Sequence, residues 1–267
     1  MLNTSVTQIA SIIATTENLG QKVPADVTKA HERYQRIMAG AATIYRDVHE
    51  LNAATLTALD EGRDPAADPE VQRIATSQLI GNEHQVQALR TIVTDDLLQA
   101  VARNANAIVK AWQKPFDAAV QTIARTAKQL GPIRLDDSAA ILAQGGDAAQ
   151  QWTEAKQADS LIHNLAASWT ILAMQTQFAP NDRRLQMLRI TDPTYEQWEF
   201  LELIDQRMSA WDAQHAGLAL SLADGPEFNA RWQRIESERQ QQSLQQRDQV
   251  LGKNSPASIA QMMANMR

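Results

Sequence analysis

With 267 residues, 44% of them hydrophobic, the chain can bury a real core as one large domain or two smaller ones, and disorder throughout is excluded. The net charge is −6 and no run of basic residues exceeds Arg183-Arg184, so a sequence-independent grip on nucleic acid is not expected. Cysteine is absent, which removes disulfides, thiolate metal sites and a cysteine nucleophile together.

Only 10 glycines and 9 prolines punctuate the chain and 5% of it is aromatic, a composition that suits helices better than sheets. The expected class is all-α: an elongated bundle of long helices with heptad, coiled-coil-like seams and a helical content above roughly two thirds. The uncharged N-terminus has no Lys or Arg before its apolar part, and polar residues interrupt it. A signal peptide is therefore disfavoured, and a cytoplasmic or virion-associated location is expected.

The first helix is predicted over Ser5 to Leu19, with Val6, Ile9, Ile12 and Ile13 on one face and Gly20 as its stop. After Pro24, apolar or small residues recur alternately three and four apart: Val27, Ala30, Tyr34, Ile37, Ala41, Ile44, Val48, Leu51, Thr55 and Ala58. That stripe belongs to a helix that packs along another helix. Glu61 to Pro69 reads as a loop, with Asp68 as N-cap and Pro69 at the first helical position, where its missing N–H costs nothing. Helical spacing then continues to Leu130. Pro115 removes a backbone donor inside it, which predicts a kink or a break near Trp112 to Lys114.

Beyond Gly131-Pro132 comes a loop and one short helix, capped by Asp136 or Asp137 at Ser138 and closed by Gly145-Gly146. Asp147 can cap the next helix, which carries Trp152, Ile162, Leu165, Trp169 and Leu172 and stops at Pro180. Ser160 to Asn181 is uncharged, yet His163, Asn164, Ser168, Thr170 and Gln175 are too many polar groups for hydrocarbon. The expectation is a buried bundle helix and no constitutive membrane span.

Asp192-Pro193 predicts another helix start and a second heptad: Leu201, Ile204, Met208, Trp211, His215, Leu218 and Leu222. Asp224 to Glu227 is a corner between helices. Phe228, Trp232 and Ile235 follow, but Glu236 to Gln249 has only Leu244 to bury, so this glutamine-rich part should project into solvent. Gly252 to Asn254 should break the helix. Ser255-Pro256 then restarts a small one whose Ile259, Met262, Met263 and Met266 share a face. The organisation expected is a long-helix hairpin region over 1–131, a helical bundle region over 132–251 packed with it as one domain, and a joint with a docking helix over 252–267.

No residue set nominates itself as catalytic, and neither a G-x-S-x-G elbow, an S-x-x-K box nor a phosphate-cradling glycine loop is present. The doublets Asp95-Asp96 and Asp136-Asp137 do not converge, because adjacent helical residues point about 100° apart. Asp212 precedes His215 by three, the spacing of a carboxylate-histidine metal pair. A di-metal bundle needs two such pairs and two further glutamates, and the second pair is missing. His215 is therefore expected as a core histidine at an inward heptad position, with Asp212 and His215 as the weak metal candidates. Trp198, set among Glu196, Gln197 and Glu199, is a candidate partner contact, as are Ile259, Met262, Met263 and Met266, since methionine-rich faces adapt to irregular grooves.

Together these features predict a non-enzymatic helical structural, assembly or interaction protein. It needs no cofactor and works through a protein partner or self-association. Helical rods with terminal docking helices occur among phage morphogenesis proteins and secretion-apparatus components, an analogy of architecture alone, and the Ala-, Arg- and Gln-rich usage is of bacterial or phage type. Two other classes stand beside this one. One is an α-helical pore-forming or secreted protein, in which Ser160 to Asn181 or the N-terminal helix rearranges into a membrane. The other is a bundle metal-binding protein or enzyme centred on Asp212 and His215.

Overall fold

The structure, a computed structural model, describes residues 4–46, 50–80, 83–204 and 208–253. It is 79% helical, and the described residues include no strand, so the protein is all-α. The chain divides into two compact units, Met1–Ile108 and Val109–Arg267, with the division falling inside a helix.

The first unit holds α1 (Thr4–Asn18), α2 (Ala25–Arg46), α3 (Glu50–Asp60), α4 (Pro69–Ile80) and the first part of α5 (Glu83–Leu130). α1 buries Val6, Ile9, Ile12 and Ile13, the predicted face. Gly20 ends it at φ +68°, where the Gly20 and Gln21 N–H groups reach back to the carbonyls of Glu17 and Thr16 at 2.8 and 3.1 Å. The long three-and-four stripe falls on α2 and α3. Val27, Ala41 and Ala58 are buried along it, while Ala30, Tyr34, Ile37, Leu51 and Thr55 are only half-buried, and Val48 lies outside the described residues. α2 and α3 both pack against α4, so the stripe serves a short-helix core. Asp68 caps α4 as predicted: its Oδ1 accepts the N–H groups of Glu70 and Val71 at 2.9 and 3.1 Å, and its other oxygen pairs with Arg63.

α5 is one helix through Pro115, so the expected break is absent. Ile108, Trp112, Phe116 and Ile123 are all buried on either side of the proline, and that packing holds the helical path despite the lost donor.

The second unit continues α5 from Val109 and adds α6 (Ser138–Ala143), α7 (Ala148–Thr176), a 3-10 helix (Arg183–Arg189), α8 (Tyr195–Leu203), α9 (Ala210–His215) and α10 (Gly225–Lys253). Its core is rich in large rings, Trp112, Phe116, Trp169, Trp198, Trp211 and Phe228 being fully buried. The indoles of Trp152 and Trp211 donate to the carbonyls of Leu135 and Ile133 at 2.9 and 2.8 Å and tie down the loop before α6. Asp137 caps α6 by accepting from the Ala140 N–H at 3.0 Å. Asp147 occupies the N-cap position of α7, but its side chain makes no cap bond, so only the place of that cap was right.

The second heptad is not a helix. The start signal belongs to Thr194, which forms a reciprocal capping box with Gln197, and not to Asp192. α8 ends at Leu203, Met208 and Ser209 are not helical, and Gly217 takes a left-handed φ of +73° just after α9. Leu218 and Leu222 are buried from irregular chain, whose Leu220 forms an isolated antiparallel bridge with Thr191. Asp224 starts α10, but from irregular chain and not from the helix expected before it: its Oδ1 accepts the Glu227 N–H at 3.0 Å, and Glu227 Oε2 accepts the Asp224 N–H at 3.1 Å. α10 then runs through Gly252 to Lys253, so the expected break does not begin at Gly252. Ile259, Met262, Met263 and Met266 lie outside the described residues. Among the described residues no helix is long and apolar enough to cross a membrane, in keeping with the expected absence of a span over Ser160 to Asn181.

Candidate functional site

In the second unit, one face of α7 meets the 3-10 helix and the start of α9 around a cleft of about 440 Å³. That volume lies within the range of about 300–1,000 Å³ usual for small-molecule sites. Its apolar walls come from Ile162, Met187, Ile190 and Met208; Asp159, Thr170 and Arg189 add polar groups, and His163 stands exposed among them.

Arg189 is held there by its backbone. The 3-10 helix starts at Asp182, whose carboxylate accepts the Arg184 N–H at 2.8 Å, and it buries Leu185, Met187 and Leu188 before Arg189 ends it. Beyond that point the chain lies against residues 219–223: the Ala223 N–H donates to the Arg189 carbonyl and the Ser221 N–H to the Ile190 carbonyl, each at 2.9 Å. Trp169 supports the side chain, with the guanidinium 5.0 Å from its ring centre, and its own indole N–H is fixed on the Ala223 carbonyl at 2.8 Å.

The Arg189 side chain is only 5% exposed, and its partners are neutral. Nη1 donates to Thr170 Oγ1 and Nη2 to Asn181 Oδ1, the latter at 3.0 Å, while Thr170 spends its own proton on the Ala166 carbonyl at 2.8 Å. The Nε–H is buried without a hydrogen-bond partner among the described residues. Burial pushes the Arg189 pKa down to about 10, against the pull of the Asp182 carboxylate, which is itself engaged by the Arg184 guanidinium at 2.8 Å.

Arg231, on α10, is the opposite case at similar burial, 8% exposed. Its Nη1 donates to the carbonyls of Leu188, Thr191 and Ser221 at 2.8–3.0 Å, its Nη2 to Ser221 Oγ at 2.8 Å, and Asp192 stands 3.9 Å from its Nε. Each of these contacts ties the 3-10 helix or the irregular chain beyond it to α10. Arg231 is a fastener, whereas Arg189 borders the cleft with donors to spare.

The residues singled out from the sequence are placed elsewhere. His215 is exposed at the end of α9, edge-on to Trp211 at 4.8 Å, and so is not the inward core histidine expected. α9 is too short to carry a heptad, and Trp211 takes its buried face one turn earlier. Asp212 is also exposed, with its Oδ2 accepting the Ser209 hydroxyl at 2.7 Å. Among the described residues no group of three or more His, Asp or Glu side chains could hold a metal ion. Trp198 is fully buried and meets Trp232 edge to face at 6.4 Å, so its acidic neighbours in sequence do not mark an exposed partner contact. Asp96 pairs with Arg33 at 2.5 Å, and Asp136 with Arg134 at 2.7 Å, which holds the Asp136 carboxyl below its usual range. The sequence holds no signal for Arg189 itself, because an arginine in RRLQMLR reads as a solvated turn until Trp169 is known to lie over it.

Comparison of the chain with known protein families, characterised proteins and solved structures finds no match.

Proposed function

We propose that this chain is a non-enzymatic helical assembly protein that associates with further copies of itself through the far half of α10 and the segment that follows. The observation that supports this is where burial stops on α10. Phe228, Arg231 and Ile235 are buried, whereas Gln240, Gln241, Ser243, Leu244 and Gln245 are exposed, Leu244 at 52%. The Ser243 hydroxyl turns back to its own helix, donating to the Gln240 carbonyl at 2.8 Å. Isolated helices shorter than about 12–15 residues are marginal in water, so a helical stretch as exposed as Gln240 to Gln245 gains most by meeting another helix.

A second copy fits that extension. Between residues 236 and 253, Glu236, Glu238 and Asp248 are balanced by Arg239, Arg247 and Lys253, so two such helices meet without net repulsion. Ile259, Met262, Met263 and Met266 follow in sequence and add apolar area, contributing several kcal/mol if buried at about 25 cal/mol per Å².

The test is sedimentation velocity on the full chain, on a chain ending at Asn254, and on the Met262→Glu, Met263→Glu double variant. The full chain should associate with rising concentration, and both altered chains should associate less while keeping nearly the same melting temperature. A full chain that stays monomeric, or a truncated chain that melts much earlier and associates as before, refutes the proposal.

A further inference from the structure

We propose that the Arg189 cleft binds a small organic acid, a molecule with an apolar body and one carboxylate, and that the Arg189 guanidinium is the carboxylate's partner. This site is independent of self-association through α10.

Charged side chains are seldom fully buried unless paired, because burial strips their hydration. Arg189 is 5% exposed, yet its acceptors among the described residues are a hydroxyl and an amide oxygen, which engage two of the five N–H donors of a guanidinium. Arg231, equally buried, shows what a structural arginine does in this fold: it saturates backbone carbonyls. Among the described residues Arg189 meets no backbone carbonyl, and it borders a cleft instead. A carboxylate supplies the missing charge and can take a guanidinium edge in two parallel bonds.

The remaining lining narrows the class. Ile162, Met187, Ile190 and Met208 offer dispersion contacts that an inorganic ion does not use, so the ligand has an apolar part. Asp159 also borders the cleft, its Oδ1 accepting the Trp211 N–H at 3.0 Å, and its charge opposes a second acidic group on the ligand. One carboxylate on an apolar body satisfies both ends.

The experiment is isothermal titration of the full chain with hexanoate as probe, alongside hexanamide, its neutral analogue, and inorganic phosphate, an anion without an apolar body. Hexanoate should fill one saturable site with a dissociation constant at or below about 10 mM, and the other two should bind at least about tenfold more weakly. Arg189→Met should abolish the hexanoate site while melting at or above the wild-type temperature. Ala166→Leu, which narrows the cleft and leaves the guanidinium in place, should weaken hexanoate about tenfold or more, and it decides the matter if Arg189→Met fails to fold. Absence of a saturable hexanoate site overturns the proposal. So does hexanamide or phosphate binding as tightly as hexanoate, and so does a folded Arg189→Met or Ala166→Leu protein that binds hexanoate as the wild type does.

Discussion

Two arginines less than 10% exposed, in the same unit, have opposite consequences for stability, because burial alone does not fix the worth of a charge. Removing Arg231 leaves the carbonyls of Leu188, Thr191 and Ser221 without their donor. Each such loss costs about 1–3 kcal/mol when the group stays buried, so Arg231→Met should destabilise the chain by about 3 kcal/mol or more. Arg189→Met strands little, since Asn181 is exposed and Thr170 keeps its bond to Ala166. It also relieves an unpaired buried charge and should be neutral or stabilising by about 1–2 kcal/mol. Urea unfolding of the two variants measures the contrast directly, and a large loss in Arg189→Met would make that arginine a structural one.

At the scale of the element, ends were more legible than middles. Asp68, Asp137 and the start of α10 at Asp224 stand where local sequence places them, because a cap is satisfied by backbone N–H groups two or three residues away. Asp147 shows the limit, since it holds the position without making the bond. Asp68→Ala should therefore cost about 1–2 kcal/mol in thermal unfolding, and Asp147→Ala less than about 0.5 kcal/mol. Equal losses would mean that the cap bonds do not govern these ends. Middles depend on what packs against them. The period of Leu201 to Leu222 is real, and most of those residues are buried, but they are buried from α8, α9 and irregular chain in turn. Spacing along a sequence cannot tell a helical stripe from an irregular segment whose apolar residues happen to reach the same core. Pro115 misled in the other direction, because Trp112 and Phe116 hold their helix through it. Arg189 was illegible altogether, its burial being the work of Trp169 and residues 219–223, distant in sequence.

For the whole molecule, apolar burial is uneven along the chain. Both units have buried cores, while α10 from Gln240 to Gln245 is helix with Leu244 as its one aliphatic side chain, and that one is exposed. The proposed assembly role rests on that contrast, and hydrogen exchange read peptide by peptide along α10 over a range of protein concentrations tests it most directly. Amides near Phe228 to Ile235 should be protected at every concentration, because they belong to a core. Amides from Gln240 onward should exchange fast in dilute solution and gain protection as concentration rises, and in the chain ending at Asn254 that gain should fall away. Exchange beyond Gln240 that is the same at all concentrations would contradict self-association through this helix.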